Sequence, residues 1–329
     1  MNDITAVGDF SHQTVLLAET VASVLDTPLS SLSQLAPKFS GIFVDATFGR
    51  GGHSRLLLNY LDSDSRLIVF DKDPQAIAAA TALAKTDARV TVVHESFAQL
   101  QSSLQALGIV QVQGIMADLG VSSPQLDDGS RGFSFMRDGA VDMRMDTTRG
   151  QSVAQWLAEV DENTLADVLF NYGEERHSRR IARAIKQMPD YHSTLQLAEV
   201  IKQAHPNWQK GKHPATQSFQ AMRIFINNEL GDIEEFLAQA LSVLSPGARL
   251  AVISFHSLED RLIKQFLQKH SKGQYPGDEL LPMPPKRPKL LSKPERVAPS
   301  AAEIKSNPRA RSAWLRSATC LKPKQAPDC

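Results

Sequence analysis

An apolar run, Gly41-Ile42-Phe43-Val44, ends in Asp45 and leads through Ala46-Thr47-Phe48-Gly49-Arg50-Gly51-Gly52-His53 into Ser54-Arg55-Leu56-Leu57-Leu58. The order is a buried strand, a glycine-rich turn and the first turns of a helix. Three glycines in four residues allow positive φ and remove β-carbons that would hold a ligand off the backbone, and the helix start offers unpaired N–H groups. A tight strand-to-helix connection without a ligand has the same pattern. Following a strand that ends in Asp, the turn reads more readily as a seat for a nucleotide-like molecule.

The rhythm repeats downstream. Arg66-Leu67-Ile68-Val69-Phe70 is a second buried strand ending in an acid, Asp71. Asp73-Pro74 supplies an N-cap and a first-turn proline for an alanine-rich helix over 75–85. Arg89-Val90-Thr91-Val92-Val93 is a third strand, 97–107 is helical, and Gly114-Ile115-Met116-Ala117-Asp118-Leu119 is a fourth strand. Strands alternating with helices predict a parallel sheet covered on both faces, with ligands bound beyond the strands' carboxyl ends. Asp45, Asp71 and Asp118 sit at those ends. Upstream, 18–25 reads as a short helix and 27–40 as a loop.

After the fourth strand the alternation stops. Residues 120–150 are rich in Gly, Ser, Asp and Arg, and 156–225 show helical patterning. A fifth strand appears only at Ala248-Arg249-Leu250-Ala251-Val252-Ile253-Ser254-Phe255, after a helix over 233–244. The expected organisation is therefore an α/β sheet domain over 1–125 and 214–272, interrupted between strands four and five by a mainly helical insertion over 126–213. A basic, Pro-rich C-terminal tail, extended or partly disordered, would occupy 273–329.

With 329 residues, 42% of them hydrophobic, the chain can bury a large core without staples. The two cysteines, Cys320 and Cys329, could tie down only the tail, and no zinc spacing exists, so no metal site is expected. A reducing cytoplasm is the expected location. Residues 1–10 lack a secretory pattern, and no apolar run is long enough to span a membrane. Net charge is zero but uneven. Segment 286–329 has 11 basic and 3 acidic residues, and 171–225 has 9 and 4. Either excess suits an anionic partner such as nucleic acid, or is simply solvated.

A dinucleotide turn would read Gly-x-Gly-x-x-Gly, and this one fails at the third glycine. Asp45 would repel a pyrophosphate but suits a ligand with a cationic amino or sulfonium group. Asp71, twenty-two residues after Gly49, is placed to accept from two ribose hydroxyls. That narrows the ligand to adenosine compounds, NAD and S-adenosylmethionine among them.

Several strings together resemble one family: Asp45-Ala46-Thr47-Phe48-Gly49-Arg50-Gly51-Gly52-His53-Ser54, Asp71-Lys72-Asp73-Pro74, Asp118-Leu119-Gly120-Val121-Ser122-Ser123-Pro124-Gln125-Leu126-Asp127, Lys212-His213-Pro214-Ala215-Thr216 and Phe255-His256-Ser257-Leu258-Glu259-Asp260-Arg261. It is the bacterial S-adenosylmethionine-dependent family, MraW or RsmH, that methylates the N4 amine of a cytidine in the decoding region of 16S ribosomal RNA. The likeness runs from His12 to Arg316. It is patchy after Gly273, where Asn307-Pro308-Arg309-Ala310-Arg311-Ser312 stands out, and the loop over 27–40 looks longer than the family's.

The resemblance implies a class I, Rossmann-like methyltransferase sheet, S-adenosylmethionine as cofactor, and cofactor contacts at Gly51, Gly52, His53, Asp71, Phe97, Asp118 and Gln125. Phe97 taken alone would read as core packing. The resemblance further implies 16S rRNA as partner, within an assembled small subunit, with cytosine 1402 in rRNA numbering as target; a homodimer is left open. His256, just past the fifth strand, would accept a proton or hydrogen-bond the base, or serve structurally. Ser257 to Asp260 reads as a capping box starting the next helix. Phe133 and Phe135 could stack on the base or belong to a hinge or core. RNA contacts are expected at Arg144, Arg176, Arg180, Arg183 and Arg223; Arg176, Arg180 and Arg183 share a helix face at this spacing. The competing readings are a nicotinamide-dependent oxidoreductase, against which the missing glycine speaks, and a non-catalytic ribosome-binding factor that keeps the fold.

Overall fold

The computed structural model describes residues 14–323 apart from 33, 35–38, 207–212, 276, 284 and 286. The N-terminal reading over 1–10, His12, Lys212 and Cys329 lie outside the described residues. Seven strands, β1 (Ile42–Asp45), β2 (Arg66–Phe70), β3 (Val90–Val93), β4 (Val112–Asp118), β5 (Leu244–Ser254), β6 (Glu295–Val297) and β7 (Trp314–Thr319), form one sheet in the order β3-β2-β1-β4-β5-β7-β6. The first five are parallel, whereas β7 runs antiparallel to β5 and to β6. The chain steps outward from β1 to β3 and then returns to β4. The crevice for a ligand therefore opens between the carboxyl ends of β1 and β4. This is the Rossmann-like α/β architecture that the resemblance implies.

The helices are α1 (Leu17–Val24), α2 (Leu29–Leu32), α3 (Gly52–Leu58), α4 (Pro74–Ala84), α5 (Leu100–Ala106), α6 (Ser123–Asp127), α7 (Val153–Glu159), α8 (Glu162–Gly173), α9 (Ser178–Lys186), α10 (Thr194–Ala204), α11 (Ala215–Ile226), α12 (Glu229–Val243), α13 (Ser257–Lys272) and α14 (Ala301–Ser306). Alternate strand residues enter opposite cores. Phe43, Leu67 and Val69 pack with α1, α3 and α4, while Val44, Ile68 and Phe70 pack with α5, α12 and α13. Side chains of successive strand residues point to opposite faces, so burying both faces requires continuous apolar runs, as found here. Asp73 caps α4 by accepting the Gln75 N–H at 2.9 Å, with Pro74 in the first turn.

Three expectations change. The loop over 27–40 contains a helical turn, α2. The segment 273–329 is not simply a tail. It supplies β6 and β7, with Leu315 in one core and Ala318 and Cys320 in the other. Arg316, an unlikely strand residue by its charge, is held by Asp260 at 2.7 Å. The insertion also ends later than 213. Ala215, Phe219 and Met222 of α11 belong to a third core with α7 to α10, so the boundary falls at the Asn227-Asn228 turn, where Asn228 has φ 51°.

Candidate active site

A cavity of about 390 Å³ lies over the carboxyl ends of β1, β2 and β4, at the crevice the strand order dictates. Its floor is the glycine turn. Gly49 and Gly51 have φ of +55° and +78°, a region that β-carbons disfavour. A β-carbon on Gly51 would stand 2.8 Å from a carbon of the Phe48 ring, and one on Gly52 would overlap the Thr14 side chain. The chain from Thr14 to Leu16 thus lies directly on the turn, and His53 Nε2 is 3.2 Å from the Val15 carbonyl.

Asp45 does not reach the cavity surface. Buried beneath the turn, it accepts from the Ser54 hydroxyl at 2.6 Å and the Thr47 N–H at 3.1 Å, and so fixes both ends of the loop. Burial is the main reason its carboxyl is pushed up to about 6. Asp71 lines the cavity and accepts the Gly49 N–H at 2.8 Å and the Asp73 N–H at 2.9 Å, which aims the carboxylate from β2 across the turn. Burial raises it as well. Asp118, at the end of β4, lies 3.8 Å from His53 Nδ1. Its pKa stands well above the ordinary carboxylate range, through burial first and then through the charges of Asp45 and Glu259. Its Oδ1 is buried without a hydrogen-bond partner.

Phe97 forms an apolar wall, backed edge-on by Phe236 at 5.2 Å. Gln125 also lines the cavity, but its amide is engaged. It accepts the Ser122 N–H at 2.9 Å in a capping box and donates to Asp73 at 2.7 Å. A bare turn, an acid fixed at the end of β2, an apolar wall and an orphaned acid oxygen fit an adenosine-bearing ligand with a cationic centre. Of the residues expected to contact the cofactor, Gly52, His53, Asp71, Phe97, Asp118 and Gln125 line this one cavity, and Gly51 shapes its floor from below.

A second group of side chains stands where β5 and the insertion approach the cavity; Arg223, Glu229 and Glu259 line it, and His256 does not. His256 caps α13 with Glu259 as its reciprocal partner, so the box begins one residue before the Ser257 expected from sequence. Glu259 is fully buried and accepts the Phe255 N–H at 2.8 Å, and its Oε1 lies 3.2 Å from His256 Nε2. Its pKa falls below the usual range: burial pushes it up, but His256 and Arg223 outweigh that. Arg223 forks onto Glu229 with two contacts of 2.8 Å. Ligand-type atoms of Glu229, His256 and Glu259 lie within 4.8 Å of one another. The Arg223 fork already occupies both Glu229 oxygens.

The remaining candidates are dispersed. Arg176 precedes α9, Arg180 is exposed on it, and exposed Arg183 contacts Glu162 at 3.3 Å. Arg144 forks onto Asp142 at 2.8 Å, and Arg223 lines the cavity rather than an outer face. Phe133 is buried in the insertion's core, and Phe135 packs on His213 and Phe219. Sequence reasoning did not find Thr14, Glu229 and Glu259, nor Asn307, Arg309 and Ser312, which reach the cavity from the C-terminal segment. The Asn307-Pro308-Arg309-Ala310-Arg311-Ser312 string was the available signal for the last three.

The model of the MraW methylase family matches residues 9–321. A ribosomal RNA small subunit methyltransferase H of Psychrobacter sp. (strain PRwf-1) is 71% identical over 315 residues, 96% of this chain and 92% of the relative. A protein of the same name from Acinetobacter baumannii is 55% identical over 316 residues, 96% of this chain and the whole of the relative.

Proposed function

The chain belongs to the MraW methylase family, and from that membership we propose that it methylates ribosomal RNA with S-adenosylmethionine, its target being the N4 amine of a cytidine in the decoding region of 16S rRNA. The position proposed within it is the family target, cytosine 1402 in rRNA numbering. The substrate is the assembled small subunit, met in the cytoplasm. The observation that carries the reading is the Asp118 carboxyl, 26% exposed and set beside the glycine turn in a cavity that Phe255, Glu259 and Arg223 also line.

S-adenosylmethionine supplies an electrophilic methyl group on a positively charged sulfur. The protein's task is to present the amine. The N4 lone pair is delocalised into the cytosine ring, so a hydrogen-bond acceptor on the amine helps it pyramidalise, and positioning supplies much of the acceleration. Asp118, whose side chain is 26% exposed although its Oδ1 is buried, offers Oδ2 as such an acceptor. No strong base is needed at the outset, because the amine becomes acidic only once methylated. His256 then takes the proton at Nδ1, whose cap bond from the Glu259 N–H is long at 3.4 Å, while Nε2, 3.2 Å from Glu259 Oε1, keeps its hydrogen on that carboxylate, which stabilises the charged ring. Asp71 holds the ribose and Phe97 the adenine, while Gly51, Gly52 and His53 pass under the amino-acid end and Gln125 closes the methionine side. The exposed arginines Arg176, Arg180 and Arg183 contact phosphates, and Arg144 and Arg223 stiffen the approach to the cavity.

The test is mass spectrometry of 16S rRNA from cells lacking the protein. N4-methylcytidine should disappear from the decoding region and return on complementation. A His256→Asn variant, which can still cap α13, should restore it at least ten times more slowly. Persistence of the mark in the deletion strain would refute the reading.

A further inference from the structure

The cations around the cavity are unequally committed. Lys72 is held 2.7 Å from Asp232 with both side chains largely buried, and Arg223 is forked onto buried Glu229. Arg309 differs. Its partner is Asp127, at 2.7 Å, and the two side chains are 42% and 44% exposed. Ion pairs with that exposure contribute little, because solvent screens them and the long side chains lose freedom. A phosphate can therefore take over the guanidinium at little cost.

Arg309 does not stand alone. Lys305 and Arg311 are exposed on the same short segment, while Asn307 and Ser312 join Arg309 in lining the cavity. The one acid between 301 and 312 is Glu303, and it is committed to the protein body, where its carboxylate accepts the Leu16 N–H at 2.7 Å. The segment is also fixed in place. Ser300 caps α14 through the Glu303 N–H, Asn307 caps the following 3-10 turn through the Arg309 N–H, Ala310 and Ala313 are buried, and β7 carries the chain into the sheet. The result is a fixed shelf of three exposed cations, one of them in the cavity wall, whose single acid, Glu303, is turned onto the Leu16 N–H.

We propose that this shelf, Lys305, Arg309 and Arg311, is an RNA-contact surface separate from the helical insertion, and that it holds backbone phosphates next to the nucleotide delivered to the cavity. The inference rests on the rRNA-methyltransferase reading. A donor carboxylate could satisfy Arg309 alone. Lys305 and Arg311 lie outside the cavity lining, so the positive charge extends beyond a donor bound there, as contact with a polyanion requires.

The test uses the full chain and small ribosomal subunits purified from cells lacking it, with binding and methyl transfer read separately across a salt series. Replacing Lys305 and Arg311 with Ala should reduce the slope of log affinity against log salt by about 1.4, at about 0.7 per single-strand phosphate contact. Half-saturation by subunits should rise roughly tenfold near physiological salt, with the melting temperature and S-adenosylhomocysteine affinity as in wild type. Adding Arg309→Ala should lower the slope further. An unchanged slope and half-saturation in the double variant, with methyl transfer intact, overturn the shelf and leave the enzymatic reading standing. Lost S-adenosylhomocysteine affinity in that variant assigns the charges to the donor and also overturns it. Wild-type protein that fails to bind subunits overturns both the shelf and the reading beneath it.

Discussion

Three acids that end apolar strands divide the work at the residue scale. All three are raised by burial, Asp45 to about 6 and Asp71 and Asp118 in the same direction. A carboxyl whose folded pKa exceeds its unfolded value favours folding when protonated. The stability it confers is present at acid pH and is lost as pH rises through the folded value, near 6 for Asp45. A cationic donor offsets part of that cost by attracting the ionised forms. Affinity for S-adenosylmethionine should therefore climb as pH rises from about 5 toward 7.5, and the slope for S-adenosylhomocysteine, which lacks the sulfonium charge, should be shallower. Titration calorimetry across that range decides. Equal slopes would show that these acids do not sense the sulfonium charge. The acids were legible because each closes an apolar run. That Asp45 works beneath the turn was not, since only the fold brings Ser54 and Thr47 onto its two oxygens. Glu229 and Glu259 lie only six and three residues from their partners Arg223 and His256; they were hidden because only the fold brings α12 and α13 to the cavity.

At the scale of elements, the five parallel strands declared themselves because burial on both faces demands uninterrupted Val, Ile and Leu. β7 did not. Trp314-Leu315-Arg316-Ser317-Ala318-Thr319 contains a charge and two hydroxyls, and it becomes a strand by pairing with β5 and neutralising Arg316 on Asp260. Tertiary pairing overrides the local pattern there. The late end of the insertion was hidden similarly, because α11 has the length and amphipathicity of a helix in either unit. Its contact with α8 shows where it belongs. A β-carbon on Gly173 would stand 2.6 Å from the Gln217 carbonyl oxygen and 3.1 Å from the Ala221 side chain. Gly173→Ala should wedge the two helices apart and cost about 1–3 kcal/mol, seen as a lower melting temperature. S-adenosylhomocysteine should bind within twofold of wild type while affinity for the small subunit falls. An unchanged melting temperature would mean that the approach of α8 to α11 is not close enough to constrain the residue.

For the whole molecule, the question is what makes an insertion with its own core act together with the sheet that holds the donor. The joint is polar. Arg131 of the insertion donates to Asp73 at 2.9 Å and to the carbonyls of Arg144 and Met145, and Asp73 in turn caps α4 and accepts from Gln125. Both ion-pair side chains are less than 10% exposed. On the other side, the Asn227 side chain accepts the Met145 N–H and donates to the Met143 carbonyl, and Lys72 reaches Asp232 and the Asn227 carbonyl. Removing one partner of a buried pair strands the other, so Arg131→Met should cost about 3–5 kcal/mol of folding stability. It should also weaken donor binding, because Gln125 and the α4 cap depend on the same carboxylate. Asp73→Asn alone should be similarly harmful. Combined with Arg131→Met it should be less harmful than the sum, with an interaction energy above about 1 kcal/mol for groups in direct contact. Denaturant midpoints and S-adenosylhomocysteine affinities of the two singles and the double measure this in parallel. Strict additivity in both would show that the insertion and the donor site are coupled through the Asn227 side of the joint instead.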